Sequence, residues 1–180
     1  CSGPDVHRPG PYPRPDGRPL PQRLGFPGGR ARLELGGEVE CDGTGAAVAG
    51  MRPLVDLSTG SFIFEAFPQV VNEAANIHYM SGGQANVPVT FYSLAGLRGG
   101  GAAQHSHRPQ AMLGQAPGLQ ILMPGGAEDA YYLMKWALRE SRNPTAFISH
   151  GLLLGETAEF DPDAPMLAVG RARIRREGRD

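Results

Sequence analysis

Only two cysteines, Cys1 and Cys41, occur in 180 residues, which excludes a disulfide scaffold and fits a reducing compartment. No apolar run approaches the roughly 18–20 residues that a membrane-spanning helix requires, so none is expected. An excess of charge of either sign is also lacking. Seventeen basic and 18 acidic residues leave a formal charge of −1, which argues against a protein that coats nucleic acid. A signal peptide is absent and the chain starts with cysteine, so its natural start is expected to be missing. What is plentiful is glycine (26) and proline (17), unevenly spread. A chain of this length reads as one domain, or one plus a fragment of a second. It buries roughly 70% of its extended surface and needs no metal or cross-link to stay folded.

Residues 1–30 hold eight of the 17 prolines and five arginines, with hardly a pair of adjacent apolar side chains. Such a stretch cannot bury enough surface to offset its ordering entropy, so a disordered or extended arm is expected over residues 1–43. From about residue 44 the composition becomes that of a folded domain, expected to run to residue 168. Residues 169–180 read as a strand leading towards a further domain, with Arg171, Arg173, Arg175 and Arg176 on a solvated face.

Within the domain, RPLVDLS (52–58), VPVTFYS (87–93), LQILM (119–123) and TAFIS (145–149) read as strands from their apolar, β-branched and aromatic content. Phe67, Val70, Val71, Ala74 and Ile77 recur at helical spacing, which predicts a helix over 63–79 that stops at Ser81-Gly82-Gly83. Pro68 is compatible with that helix only in its first turn. Further helices are expected near 108–115 and over 127–141, the latter with Glu128 and Asp129 at its start and Arg139 near its end. Strands alternate with helices, and each strand is apolar along its length. That pattern defines an α/β domain with a doubly wound, mainly parallel sheet and helices on both faces. Ligands of such sheets bind beyond the carboxyl ends of the strands, here the loops around 58–64, 94–107 and 124–128.

Taken singly, the local motifs stay ambiguous. The loop GLRGGG (96–101) lacks the Lys-Ser/Thr of a P-loop and does not open a helix as G-x-G-x-x-G does, so backbone freedom explains it better than phosphate binding. His105-Ser106-His107 has chelating spacing, but no cysteine or acidic residue lies within ten positions to complete a zinc shell. One functional histidine is the better reading. Ser58 and Ser61 do not form the G-x-S-x-G elbow of a serine hydrolase. His78 and His150 read as structural.

As a string, residues 44–180 carry GAAVAGMRPLVDL (45–57), QVVNEAANIHYMSGGQANVPV (69–89), GAAQHS (101–106), APGLQILMP (116–124), EDAYYLMKWALRE (128–140) and VGRARIRREGRD (169–180). In order and spacing they closely resemble the pyrimidine-binding domain of the beta subunit of pyruvate dehydrogenase. The same domain serves the related branched-chain 2-oxo acid and acetoin dehydrogenases. The resemblance implies a thiamine diphosphate enzyme of two alpha and two beta chains. It would decarboxylate a 2-oxo acid, pyruvate in the first instance, and pass the acyl group to lipoamide on a transacylase core. It also implies that the beta chain holds the aminopyrimidine ring while the alpha chain supplies the magnesium and diphosphate site through a G-D-G motif, which is absent here. The compartment implied is the bacterial cytoplasm, or the mitochondrial matrix in a eukaryote. Neither nucleic acid nor membrane is an expected partner.

By the same resemblance Phe62 packs on the aminopyrimidine and His105 acts as the active-site histidine during acyl transfer. Val89, Ala137, Leu138, Glu140 and Asn143 correspond to a structural potassium site, with Glu140 in place of the usual aspartate and one residue inserted before Asn143. Two departures stand out. The family's essential glutamate falls on Gly36, with Glu34 and Glu38 two positions to either side. Residues 1–43 do not resemble the family, as a frameshift would produce, and the chain ends where the second domain would begin. The alternatives are a catalytically dead structural or regulatory relative, or a transketolase-like or deoxyxylulose-phosphate synthase-like enzyme. The identity of the 2-oxo acid is not legible, because the acyl pocket belongs largely to the alpha chain.

Overall fold

Short runs of β-branched and aromatic residues build the sheet of this computed structural model. The structure describes residues 32–33, 37–96, 101–159, 161, 169–172, 174 and 176–179. Residues 1–31 of the arm expected over 1–43, together with Glu34, Gly36, Arg173 and Arg175, lie outside the described residues. The elements run β1 (Arg32–Leu33), α1 (Gly37–Val48), β2 (Leu54–Thr59), α2 (Ala75–Met80), β3 (Thr90–Ala95), α3 (Gln110–Leu113), β4 (Gln120–Leu122), α4 (Ala127–Arg139) and β5 (Thr145–His150). All neighbouring strands are parallel, in the order β1-β2-β3-β5-β4.

Each face of the sheet carries its own core because side chains alternate along a strand. Phe91, Ala146 and Ile148 point into one cluster with Val70 and Ala74, Leu113 of α3 and Ala47 of α1. Phe147 and the half-buried Tyr92 point into the other, against Ala137, Leu133 and Trp136 of α4. The chain steps from β1 to β3 in one direction, overshoots to β4 at the far edge, and returns to β5. A right-handed return in the reversed direction must put its helix on the opposite face, which is where α4 lies. The sheet is therefore covered by helices on both sides, as the apolar strands require. Phe91 and Phe147 are each about 1% exposed and contribute about 2–3 kcal/mol apiece through burial.

Several expected elements shift. The expected helix over 63–79 begins instead at Pro68, where a missing N–H costs nothing and a fixed φ starts the helix. Residues Gly60–Phe64 form a separate 3₁₀ turn, and Pro68–Ala74 is wound as a π-helix that passes into α2. That helix ends as expected: Gly83 N–H donates to the His78 carbonyl at 2.8 Å, with Gly82 and Gly83 at φ 64° and 81°. The strand expected over 87–93 starts at Thr90, after Pro88, which has no N–H for the ladder. α1 crosses the expected boundary at residues 43 and 44. In the 169–180 tail Val169 packs, half-buried, on the Phe147 cluster, while the other described residues are exposed, and none of the described residues forms a strand. Among the described residues no helix is long and apolar enough to cross a membrane.

Candidate functional site

Two loops at the carboxyl edge of the sheet meet over the ends of β2 and β3. The first follows a bulge in β2 at Ser58, where φ is 59° and the N–H donates to Asp56 Oδ1 at 2.8 Å. Gly60 follows with no side chain, because a Cβ there would lie 3.3 Å from the His107 carbonyl and 3.3 Å from Pro109 Cδ. The second loop bends at Ala102 (φ 55°) and is tied by Ser106, whose Oγ donates to the Ala102 carbonyl at 2.7 Å and accepts from Gly101 N–H at 3.0 Å. It then turns through a 3₁₀ segment, Ala103–His105.

The loops are joined by polar and aromatic contacts. Buried Ser61 Oγ lies 2.9 Å from His107 Nδ1 and accepts from His107 N–H at 3.3 Å. Phe64 meets the His107 ring edge-on at 5.1 Å. Phe62 and His105, both half-buried, meet edge-on at 5.4 Å between centroids with planes at 85°. His105 Nδ1 is buried without a hydrogen-bond partner among the described residues. Phe62 and His105, expected from resemblance to share a site, are thus adjacent. His107, read only as half of a chelating pair, is instead held by Ser61 and Phe64. Among the described residues no three His, Cys, Asp or Glu side chains converge as metal ligands.

The five expected potassium ligands gather where α4 ends beside the starts of β3 and β5, but their carbonyls already have donors. Arg52 Nε donates to the Leu138 carbonyl at 2.6 Å, and its Nη2 donates to Ala137 at 3.2 Å and to Ser141. The Val89 carbonyl accepts from Thr145 N–H at 2.9 Å. The Asn143 carbonyl accepts from Ser141 Oγ at 2.9 Å and Thr145 Oγ1 at 3.2 Å. Glu140 is exposed. With a guanidinium among the carbonyls, these residues do not fit a second cation.

Three residues were not singled out as functional from sequence. Ser61 was weighed only as a nucleophile, and Arg52 only as the flank of a strand. Glu40 on α1 is 4% exposed, and its Oε2 has no hydrogen-bond partner among the described residues. It lies four residues after Gly36 in sequence.

A parallel sheet with its loop cluster at the carboxyl edge of β2 and β3 defines a ligand-binding α/β domain. Residues 43–156 match the family described as transketolase, pyrimidine binding domain, and the chain belongs to that family. Over 142 residues it is 42% identical to the pyruvate dehydrogenase E1 component subunit beta, mitochondrial, of Pisum sativum, covering 77% of this chain and 39% of that protein. It is 41% identical to the Homo sapiens protein of the same name over 138 residues, covering 74% of this chain and 38% of that one. The pyruvate dehydrogenase E1 component subunit beta of Rhizobium meliloti (strain 1021) is 41% identical over 139 residues, covering 77% and 30%. The chain therefore spans well under half the length of these relatives. A solved structure, "Split gene transketolase, inactive beta4 tetramer", has the same fold at 20% identity and a TM-score of 0.54. The match covers 71% of this chain and 38% of that one.

Proposed function

We propose that the chain is the pyrimidine-binding part of the beta subunit of a thiamine diphosphate-dependent 2-oxo acid dehydrogenase of the pyruvate type. The observation that carries this reading is the pair Phe62 and His105, brought from separate loops to 5.4 Å at the carboxyl edge of the sheet. The similarity to named pyruvate dehydrogenase beta subunits supports it. Thiamine diphosphate, when bound, supplies the carbon nucleophile for decarboxylation. Phe62 offers a ring face against the aminopyrimidine, worth about 0.5–1.5 kcal/mol beyond area burial. His105 holds or moves a proton as the acyl group passes to lipoamide. The magnesium and diphosphate site belongs to an alpha subunit, in an alpha2beta2 assembly that docks on the lipoyl transacylase core. The compartment is the mitochondrial matrix in a eukaryote and the cytoplasm in a bacterium.

Gly36 at the position of the family's glutamate favours a second reading, a catalytically silent subunit of the same assembly. The two are separated by combining the chain with a cognate alpha subunit and following pyruvate decarboxylation and acetyl transfer to a lipoyl domain. Activity is expected only with alpha and with Gly36 replaced by glutamate. Phe62→Ala should weaken thiamine diphosphate binding at unchanged stability, and His105→Ala should slow acetyl transfer more than decarboxylation. Turnover by the isolated chain would overturn the reading. Cofactor binding without turnover would favour the silent subunit.

A further inference from the structure

The end of α4 leaves backbone carbonyls without helical partners, and an exposed helix end would give them to water or to a metal ion. Here the Ala137, Leu138 and Ser141 carbonyls converge on one guanidinium. It arrives from 86 residues away in sequence, in the segment between α1 and β2. That segment is fixed at its next residue, since the Pro53 carbonyl accepts from Thr90 N–H at 2.9 Å. The carbonyls are fixed as well. Ser141 is 2% exposed, and its Oγ lies 2.7 Å from Gln120 Oε1 and 3.1 Å from Thr145 Oγ1. The planar fork of arginine suits several acceptors at once, and its charge complements the negative end of the helix dipole.

We propose that Arg52 is the resident cation of this carbonyl cluster, and that the chain takes no potassium there. The side chain brings permanently the positive charge and hard donors that a bound monovalent ion would otherwise supply. The cluster borders a surface cavity of about 570 Å³ lined also by Gly50, Gln84 and Arg142. Removal of the guanidinium would therefore open the carbonyls to a small cation from solvent. The inference concerns stability alone and stands whether or not the chain acts on a 2-oxo acid.

The test is thermal melting of the full chain in potassium, sodium and choline chloride at equal ionic strength. The unsubstituted protein is expected to melt at the same temperature in all three salts. Arg52→Ala is expected to lower the midpoint by about 5 °C. Millimolar guanidinium should then restore much of the loss, where urea at the same concentration does not. Arg52→Lys, which keeps the charge but loses the planar fork, should fall between the two and secures the comparison if the alanine variant does not fold. A higher midpoint in potassium than in sodium for the unsubstituted protein would overturn the proposal. So would an Arg52→Ala midpoint equal to that of the unsubstituted chain, or a loss that guanidinium does not restore.

Discussion

Ser61→Ala tests whether one hydroxyl holds the two site loops together. The substitution deletes the atom that accepts from His107 N–H at 3.3 Å and faces His107 Nδ1 at 2.9 Å. Ser61 is 7% exposed, so water cannot readily take the place of its hydroxyl, whereas exposed His107 turns its polar atoms to solvent. The loss is therefore about one net hydrogen bond, near 1 kcal/mol, rather than two. Partial release of the Phe64–His107 edge contact at 5.1 Å adds about 0.5 kcal/mol. With a urea slope of roughly 2 kcal/mol per molar, the unfolding midpoint should fall by about 0.7 M. Trp136, the only tryptophan, packs on the α4 face of the sheet and provides the fluorescence signal. In the assembled enzyme the same loosening should weaken thiamine diphosphate binding about fivefold, because the Phe62–His105 pair is no longer preformed. An unchanged midpoint would refute the reasoning, since ring contacts alone would then suffice to hold the loops.

Gly118→Ala should cost about 2–4 kcal/mol: its φ of 85° disfavours any side chain, and a Cβ would fall on the Ala75 carbonyl oxygen. A urea titration matching that of the unsubstituted chain would contradict this. Glu40→Met should raise the unfolding free energy by about 1 kcal/mol, and so the urea midpoint by about 0.5 M, because it removes a buried carboxylate oxygen that has no partner among the described residues. If Glu40 also serves the cofactor, the same variant should bind thiamine diphosphate less tightly. A lowered midpoint would show that the carboxylate is satisfied.

Strands β2 and β5 and helix α4 were legible because each has one dominant local signal. TAFIS centres on Ala, Phe and Ile and is buried along its length, and α4 has acids at its start and an arginine at its end. α1 was not legible. Gly37, Gly43 and Gly45 all oppose helix formation, and tertiary packing on β2 and the π-helix overrides them. The spacing of Phe67, Val70, Val71, Ala74 and Ile77 identified a helix, but Pro68 set its start. At the candidate site, only the family resemblance linked Phe62 with His105. Ser61–His107 and Arg52–Leu138 span 46 and 86 residues, and neither serine nor arginine advertises a distant partner in its local pattern.

The all-parallel strand order has a consequence for how the chain acquires its structure. β3 lies between β2 and β5, and Thr90 faces Thr145 across the central ladder. β4 also pairs only with β5. β4 must therefore wait for β5, β3 has only β2 as a partner until then, and no hairpin offers a local start. Loop closure precedes each reward, which makes folding slow compared with a helical bundle of equal size. During synthesis the growing chain carries β3 with one ladder edge open and Phe91 short of its final packing until residues 145–150 emerge. That interval is when the nascent protein is most prone to pair with the wrong strand and most in need of a chaperone.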